Sequence, residues 1–90
     1  MKELANILDK KLQIAQKVRI RRREAKVSQI ELAHRSGVSL GSVKRFEGSG
    51  EISLTSLIKI ALVLGYENDF DKLFERKNYQ SIDEIIGTKY

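Results

Sequence analysis

The stretch Ser28–Glu47, with the sequence SQIELAHRSGVSLGSVKRFE, decides the fold of this 90-residue chain. It predicts two short helices joined by three or four residues around Gly37, which is helix-turn-helix spacing. The first helix begins with a capping box, in which the Ser28 hydroxyl accepts from the backbone and Glu31 reaches back. Gly37 marks the end of that helix because glycine readily adopts the left-handed C-cap conformation.

The second helix of the stretch is capped by Ser39 and is expected to reach about Glu47. Large and small apolar side chains occupy the inner positions of both helices, where two crossing helices need close packing. Any one of these residues is common in helical proteins, but their offsets together favour a helix-turn-helix over a plain helical hairpin. The inward-facing residues are Leu32, Ala33, Val38, Val43 and Phe46.

The rest of the chain also has helical periodicity. It contains no proline, and apolar residues recur at spacings of three and four instead of alternating as in a strand. The first apolar stripe fits either one helix of about 22 residues or a short helix followed by another from about Lys11. Its members are Leu4, Leu8, Leu12, Ala15, Val18, Arg22 and Ala25.

After the central stretch, the residues 48–50 predict a flexible loop, and Ser53 predicts the cap of a fourth helix that ends at Gly65. A short fifth helix is expected after Asn68. A second capping box, at residues 81–84, predicts one last helical turn. The expected core positions are Leu57, Ile60, Ala61 and Leu64 in the fourth helix and Phe70, Leu73 and Phe74 in the fifth.

Together with the later segments LTSLIKIALVLGY and FDKLF, the central stretch resembles the lambda-repressor and Cro-type regulators, the XRE family. The resemblance extends from about Leu12 to Phe74. It implies an all-α, five-helix bundle whose helices 2 and 3 form the helix-turn-helix, and which binds double-stranded operator DNA as a dimer. We therefore expect an N-terminal helical extension (1–11), a DNA-binding domain (12–75) and a short C-terminal tail (76–90).

Helix 3 is expected to present one face to the bases of the major groove. With Val43 and Phe46 inward, 100° per residue turns the opposite face outward. A lysine or arginine there can donate to guanine, and a leucine can contact a thymine methyl group. A glycine there allows close approach of the backbone to a base or is tolerated at an unimportant position. The predicted base contacts are Leu40, Gly41, Lys44 and Arg45.

The family often has polar amides at the positions of Leu40 and Gly41, and both amides are missing here. We therefore expect few direct base contacts from the start of helix 3. Specificity should depend more on Lys44, Arg45, DNA shape and bridging water. The resemblance also matches Gln29 to a glutamine that contacts phosphate at the start of helix 2. The predicted phosphate contacts are Arg19, Arg23, Lys26, Ser28, Gln29, Ser39 and Ser42.

The resemblance further implies an ion pair between Arg22 and Glu47 that ties helix 1 to the end of helix 3. Arg22 is then a structural residue and not a DNA contact. In the loop before helix 4, where the family often has basic residues, this chain has Glu51. A phosphate contact there would have to use backbone N–H groups.

The charge distribution agrees with a DNA partner. The net charge is +5, and residues 1–27 carry nine basic and three acidic residues, whereas residues 51–90 carry five basic and seven acidic. A basic segment of this kind favours phosphate contact or a solvated helix face. The chain has no cysteine and one histidine, His34, so we expect no metal site, no cofactor and no catalytic group.

The sequence thus predicts a cytoplasmic, non-enzymatic transcriptional regulator, a repressor that binds an inverted repeat as a homodimer. We expect no membrane segment and no small-molecule substrate. The alternative is an antitoxin, which represses its own operon and binds a toxin protein. Apolar residues of the tail would then contact a partner or a second copy, unless they fold back on their own bundle. These residues are Tyr79, Ile82, Ile85, Ile86 and Tyr90.

Overall fold

The computed structural model describes residues 2–77, and all the regular structure in that range is helical. Four α-helices are followed by one short 3-10 helix. Helix α1 packs against α3, α2 packs against α3 and α4, and the 3-10 helix packs against α4. The bounds are α1 Lys2–Glu24, α2 Gln29–Ser36, α3 Leu40–Ser49, α4 Leu54–Leu64 and the 3-10 helix Glu67–Lys72.

Helix α1 is one continuous helix of 23 residues, which decides between the two alternatives left open by periodicity. Only the middle of its apolar stripe packs on the bundle: Ala15 is buried and Val18 lies against the core, whereas Ala25, at the end of the predicted stripe, follows the helix and is exposed. The first half extends beyond the bundle, and residues 2–10 are all exposed. The large apolar side chains between residues 2 and 12 are Leu4, Ile7, Leu8 and Leu12, which are 44–55% exposed.

The core joins one or more residues from each of the four α-helices. Phe46, Leu32, Ile60 and Val43 are the largest fully enclosed side chains. Every inward position predicted for the helix-turn-helix is buried or half-buried, as are the predicted positions of α4. The buried core cluster is Ala15, Val27, Leu32, Val38, Val43, Phe46 and Ile60, surrounded by Val18, Ala33, Ile52, Leu57, Val63 and Leu64.

The predicted serine caps are present at the starts of three helices. The hydroxyls of Ser28, Ser39 and Ser53 accept from the backbone N–H three residues later, at 3.0, 3.1 and 3.1 Å. The predicted capping box is incomplete at Ser28, because the Glu31 side chain does not return to the Ser28 backbone. The Glu31 carboxylate lies instead 3.6 Å from a guanidinium nitrogen of Arg35. Interaction with a cation one turn later thus replaces the expected return to Ser28.

Helix α3 is longer than predicted. Residues 48 and 49 are helical, and Gly50 takes the left-handed C-cap conformation with φ +81°. The predicted loop over residues 48–50 was therefore wrong. The extra turn forms because the Gly50 N–H donates to the Phe46 carbonyl at 2.7 Å and the Ser49 hydroxyl donates to the Arg45 carbonyl at 2.7 Å.

The fifth element also differs from the prediction. It is a 3-10 helix that begins at Glu67, and Leu73 already has extended backbone with ψ 129°. Leu73 and Phe74 therefore leave the helical face, and they are 55% and 98% exposed. Their predicted core positions were wrong, whereas Phe70 is half-buried. The second capping box, at residues 81–84, and the apolar tail residues fall outside the described range.

No helix within residues 2–77 is both long enough and apolar enough to cross a bilayer.

Candidate nucleic-acid interface

Helix α3 has one buried face and one exposed face. Val43 and Phe46 are 0% and 1% exposed, whereas Gly41, Lys44 and Arg45 lie on the solvent side. Leu40 is half-buried at the start of the helix. The cationic side chains of α3 are thus available to a ligand outside the bundle.

The exposed face of α3 carries a strip of bare backbone. Gly41 and Gly48 lie seven residues apart, which is two helical turns and about 20° of rotation. No heavy atom would lie within 4 Å of a Cβ at either position. Lys44 and Arg45 flank this strip. The place of Gly48 on this face differs from the sequence-based expectation, which put residues 48–50 in a loop.

The start of α3 is held by two serines. The Ser39 hydroxyl accepts from the Ser42 N–H at 3.1 Å and donates to the Ser42 hydroxyl at 2.8 Å. The contact between the two hydroxyls uses one of their two protons, so that the pair keeps one proton for another acceptor.

Arg22 and Glu47 form a bidentate ion pair between α1 and α3. The Nε and Nη2 atoms of Arg22 donate to the two carboxylate oxygens of Glu47 at 2.7 and 2.9 Å. The third donor, Nη1, bonds the Val27 carbonyl at 2.9 Å. The two side chains are only 9% and 4% exposed. With its guanidinium turned inward, Arg22 is not available on the exposed face of α3.

Gln29 joins this pair at the first residue of α2. Its Nε2 atom donates to Glu47 Oε1 at 3.0 Å. Two opposing effects set the pKa of Glu47. Burial raises the pKa, whereas hydrogen bonds from Arg22 and Gln29 and the positive charges of Arg22 and Arg19 lower it. The lowering effects are larger together, so the pKa falls below its usual range. Glu47 therefore remains a carboxylate near neutral pH.

The basic end of α1 supplies the remaining predicted phosphate contacts. Arg19 is half-buried, and Arg23 and Lys26 are exposed. Lys26 has φ +61°, a left-handed conformation that turns the chain from α1 towards α2. Arg21 instead pairs with Glu24 on the same helix, and the hydrogen bond that Arg21 donates to the Glu24 carboxylate raises the pKa of the guanidinium.

A shallow depression lies between α3 and the start of α4. Ser42, Arg45, Ser53 and Ser56 line it together with Glu51 and Ile52. The Glu51 carboxylate forms an ion pair with Lys11 of α1. The backbone N–H of Glu51 donates to the Ser49 hydroxyl at 3.2 Å. The backbone donor expected for a phosphate at residue 51 is thus already bonded within the chain.

The family match agrees with this geometry. A family model described as Helix-turn-helix matches residues 18–68. The chain belongs to this family, the XRE or lambda-repressor type. Neither a curated protein nor a solved structure matches the chain.

The match and the all-helical fold identify a DNA-binding, helix-turn-helix domain of the kind used in transcription regulation. Such domains insert the second helix of the motif into the major groove. In this chain that helix is α3. Among residues 2–77, the acidic and histidine side chains do not form a group able to hold a metal ion.

Proposed function

We propose that the protein is a sequence-specific repressor of transcription, which binds an inverted-repeat operator as a homodimer in the cytoplasm. The observation that carries the proposal is the division of α3 into a fully buried apolar face and an exposed face with Lys44 and Arg45. A helix anchored in this way can enter the major groove without exposing the core. In a dimer, the two α3 helices would lie about 34 Å apart, one turn of DNA.

The proposed base contacts are concentrated in the middle of α3. Lys44 and Arg45 would donate to guanine O6 and N7, and Leu40 would contact a thymine methyl group. The bare strip at Gly41 allows the helix backbone close to the bases. Because the start of α3 lacks amide side chains, we expect a large contribution of DNA shape to specificity.

Three segments would supply the proposed phosphate contacts. The N-terminus of α2 presents Ser28 and Gln29, with the positive end of the helix dipole. The end of α1 and the turn that follows it present Arg19, Arg23 and Lys26, and the start of α3 presents Ser39 and Ser42. Arg22 is left out of this set because its guanidinium is engaged by Glu47 and Val27.

An antitoxin that also binds a toxin protein is the second candidate. The exposed apolar residues on the first turns of α1 and the exposed Phe74 favour a protein contact in addition to DNA. This alternative also rests on the apolar tail residues, which lie beyond Lys77, outside the described range. The antitoxin function keeps the DNA-binding role of α3 unchanged.

Selection from a pool of random duplexes tests the proposal. We expect enrichment of an inverted repeat, and binding of the selected duplex with a log–log salt slope of several negative units between 50 and 200 mM salt. A complex with two chains per duplex is expected by light scattering. Enrichment of no sequence, or an affinity independent of salt, would contradict the proposal.

A further inference from the structure

Gln29 and Glu47 are brought together by the fold although they lie 18 residues apart in the chain. Gln29 is the first residue of α2, and Glu47 lies in the last turns of α3. Glu47 Oε1 accepts both Arg22 Nη2 at 2.9 Å and Gln29 Nε2 at 3.0 Å. Gln29, a residue of the proposed DNA surface, is therefore hydrogen-bonded to the ion pair of Arg22 and Glu47.

A carboxylate can only accept hydrogen bonds, and an amide has one accepting and one donating end. Glu47 therefore selects the orientation in which the nitrogen of Gln29 faces it, and disfavours the flipped amide. The amide nitrogen carries two hydrogens. With one of them bonded to Glu47, the second remains for an acceptor at the start of α2.

The carboxylate is itself held in place. Two hydrogen bonds from Arg22 fix the plane of the Glu47 carboxylate, and Arg22 is fixed in turn by the Val27 carbonyl at 2.9 Å. The Glu47 side chain is 4% exposed, so water competes little for its oxygens. A rigid acceptor of this kind already restricts the conformations of the Gln29 side chain before DNA binds. Less conformational entropy is therefore lost when Gln29 contacts DNA.

We propose that Glu47 is a positioning residue for DNA binding: its carboxylate holds the Gln29 amide so that the second Nε2 hydrogen is directed to a DNA phosphate. This inference rests on the proposed function. Glu47 would not touch DNA, since as an anion it would be repelled by phosphate. It acts through Gln29.

A double-mutant cycle on the selected duplex tests the proposal. Gln29→Ala should lower the affinity by about 12-fold to 150-fold, the effect of losing one hydrogen bond to a charged group. Glu47→Gln should lower it by a similar factor in the wild-type chain, and by less than twofold in the Gln29→Ala chain. An equal loss from Glu47→Gln in both backgrounds would overturn the proposal.

Two further variants separate positioning from stability. Glu47→Asp keeps the charge and the partner Arg22 but withdraws the carboxylate by one methylene, and it should reproduce the coupled loss. Val63→Ala removes a half-buried side chain of α4 that packs on the core, and should lower stability without changing affinity at a temperature where all variants are folded. If Val63→Ala weakens binding as much as Glu47→Asp does, the loss reflects stability and the proposal is overturned.

A measurement without DNA follows the contact itself. The side-chain amide of Gln29 should exchange its hydrogens more slowly than those of Gln13 and Gln16, which are exposed on α1, and Glu47→Asp should remove the difference. Equal exchange in the wild-type chain would overturn the inference. Failure of the wild-type chain to bind any duplex would instead overturn the proposed function, and with it the phosphate role of Gln29.

Discussion

Gly50, at the end of α3, lies directly against Lys11 in the middle of α1. A Cβ placed on Gly50 would be 2.7 Å from the Lys11 Cβ and 2.8 Å from its carbonyl carbon. Because backbone atoms are involved, the clash cannot be relieved by rotation of a side chain. The crossing of α1 over α3 thus depends on the absence of a side chain at residue 50.

Gly50→Ala and Gly37→Ala together measure this close approach. Both glycines have left-handed backbone, with φ +81° and +74°, but a Cβ on Gly37 would meet no atom within 4 Å. Gly37→Ala should lower the free energy of unfolding by about 1 kcal/mol through backbone strain alone. Gly50→Ala should cost about 2 kcal/mol more. Urea unfolding measures both, and equal losses would contradict the packing.

Arg22→Met should destabilise the fold without changing the salt dependence of DNA binding. The substitution leaves the Glu47 carboxylate buried without its cation, which costs about 3 kcal/mol. Replacing both residues, as Arg22→Met with Glu47→Leu, should cost less than Arg22→Met alone. Thermal unfolding and the log–log salt slope are the two readouts. A normal melting temperature with a smaller slope would identify Arg22 as a DNA contact instead.

The stability supplied by Glu47 should depend on pH. Its pKa in the folded chain lies below the ordinary value, so its contribution is fully present above about pH 4.3. This contribution is lost as the pH falls through the lowered pKa. The difference in unfolding free energy between the wild type and Glu47→Gln should therefore shrink as the pH is lowered below about 4.3. Glu75→Gln, at an exposed position, is the matched control, and a similar trend there would contradict the assignment.

Lys26 has a left-handed backbone conformation that is unfavourable for a residue with a side chain, and it is also a candidate phosphate contact. Two substitutions distinguish the effect of the backbone from that of the charge. Lys26→Gly should raise the free energy of unfolding by about 0.5–1 kcal/mol, because glycine adopts φ +61° without a Cβ clash. Lys26→Ala removes the same charge but keeps the Cβ, and should leave stability nearly unchanged. Both should reduce the salt slope by about 0.9 if Lys26 contacts a phosphate. A gain in stability with alanine as large as that with glycine would contradict the backbone argument.

The sequence was sufficient for features set by local interactions. Ser28 and Ser39 cap helices by bonding to a backbone group three residues away, and Gly37 ends a helix through its own φ angle. Both signals lie within one turn of the chain. The apolar positions Leu32 and Val43 follow from helical periodicity for the same reason.

Features that depend on what surrounds a residue could not be predicted. Leu8 and Ala15 belong to one apolar stripe, but only the part of α1 that crosses the bundle is covered. Periodicity alone does not show where the bundle ends. Likewise, Phe74 follows the spacing of a core residue, and its exposure results from the extended backbone at the residue before it.

The candidate site divides in the same way. The outward face of α3 follows from the rotation of the helix once Val43 is placed inward, and the charged residues on it are visible in the sequence. The hydrogen bond between Gln29 and Glu47 has no local signal, because it depends on the angle at which α2 and α3 meet. The helical position of Gly48 could not be predicted, because Gly48 and Gly50 are both suitable C-caps for α3. The structure places the C-cap at Gly50.

Base reading by α3 is tested most directly by the affinity of Lys44→Ala and Arg45→Ala for the selected duplex. If α3 reads bases, each variant should lose between fivefold and 150-fold in affinity, the effect of about 1–3 kcal/mol per base contact, and should tolerate substitution of the base it contacts. Lys72→Ala, which removes the same charge from the 3-10 helix, should change affinity less than twofold. Losses for Lys44→Ala and Arg45→Ala no greater than for Lys72→Ala, with the base preference intact, would contradict the claim that α3 reads DNA.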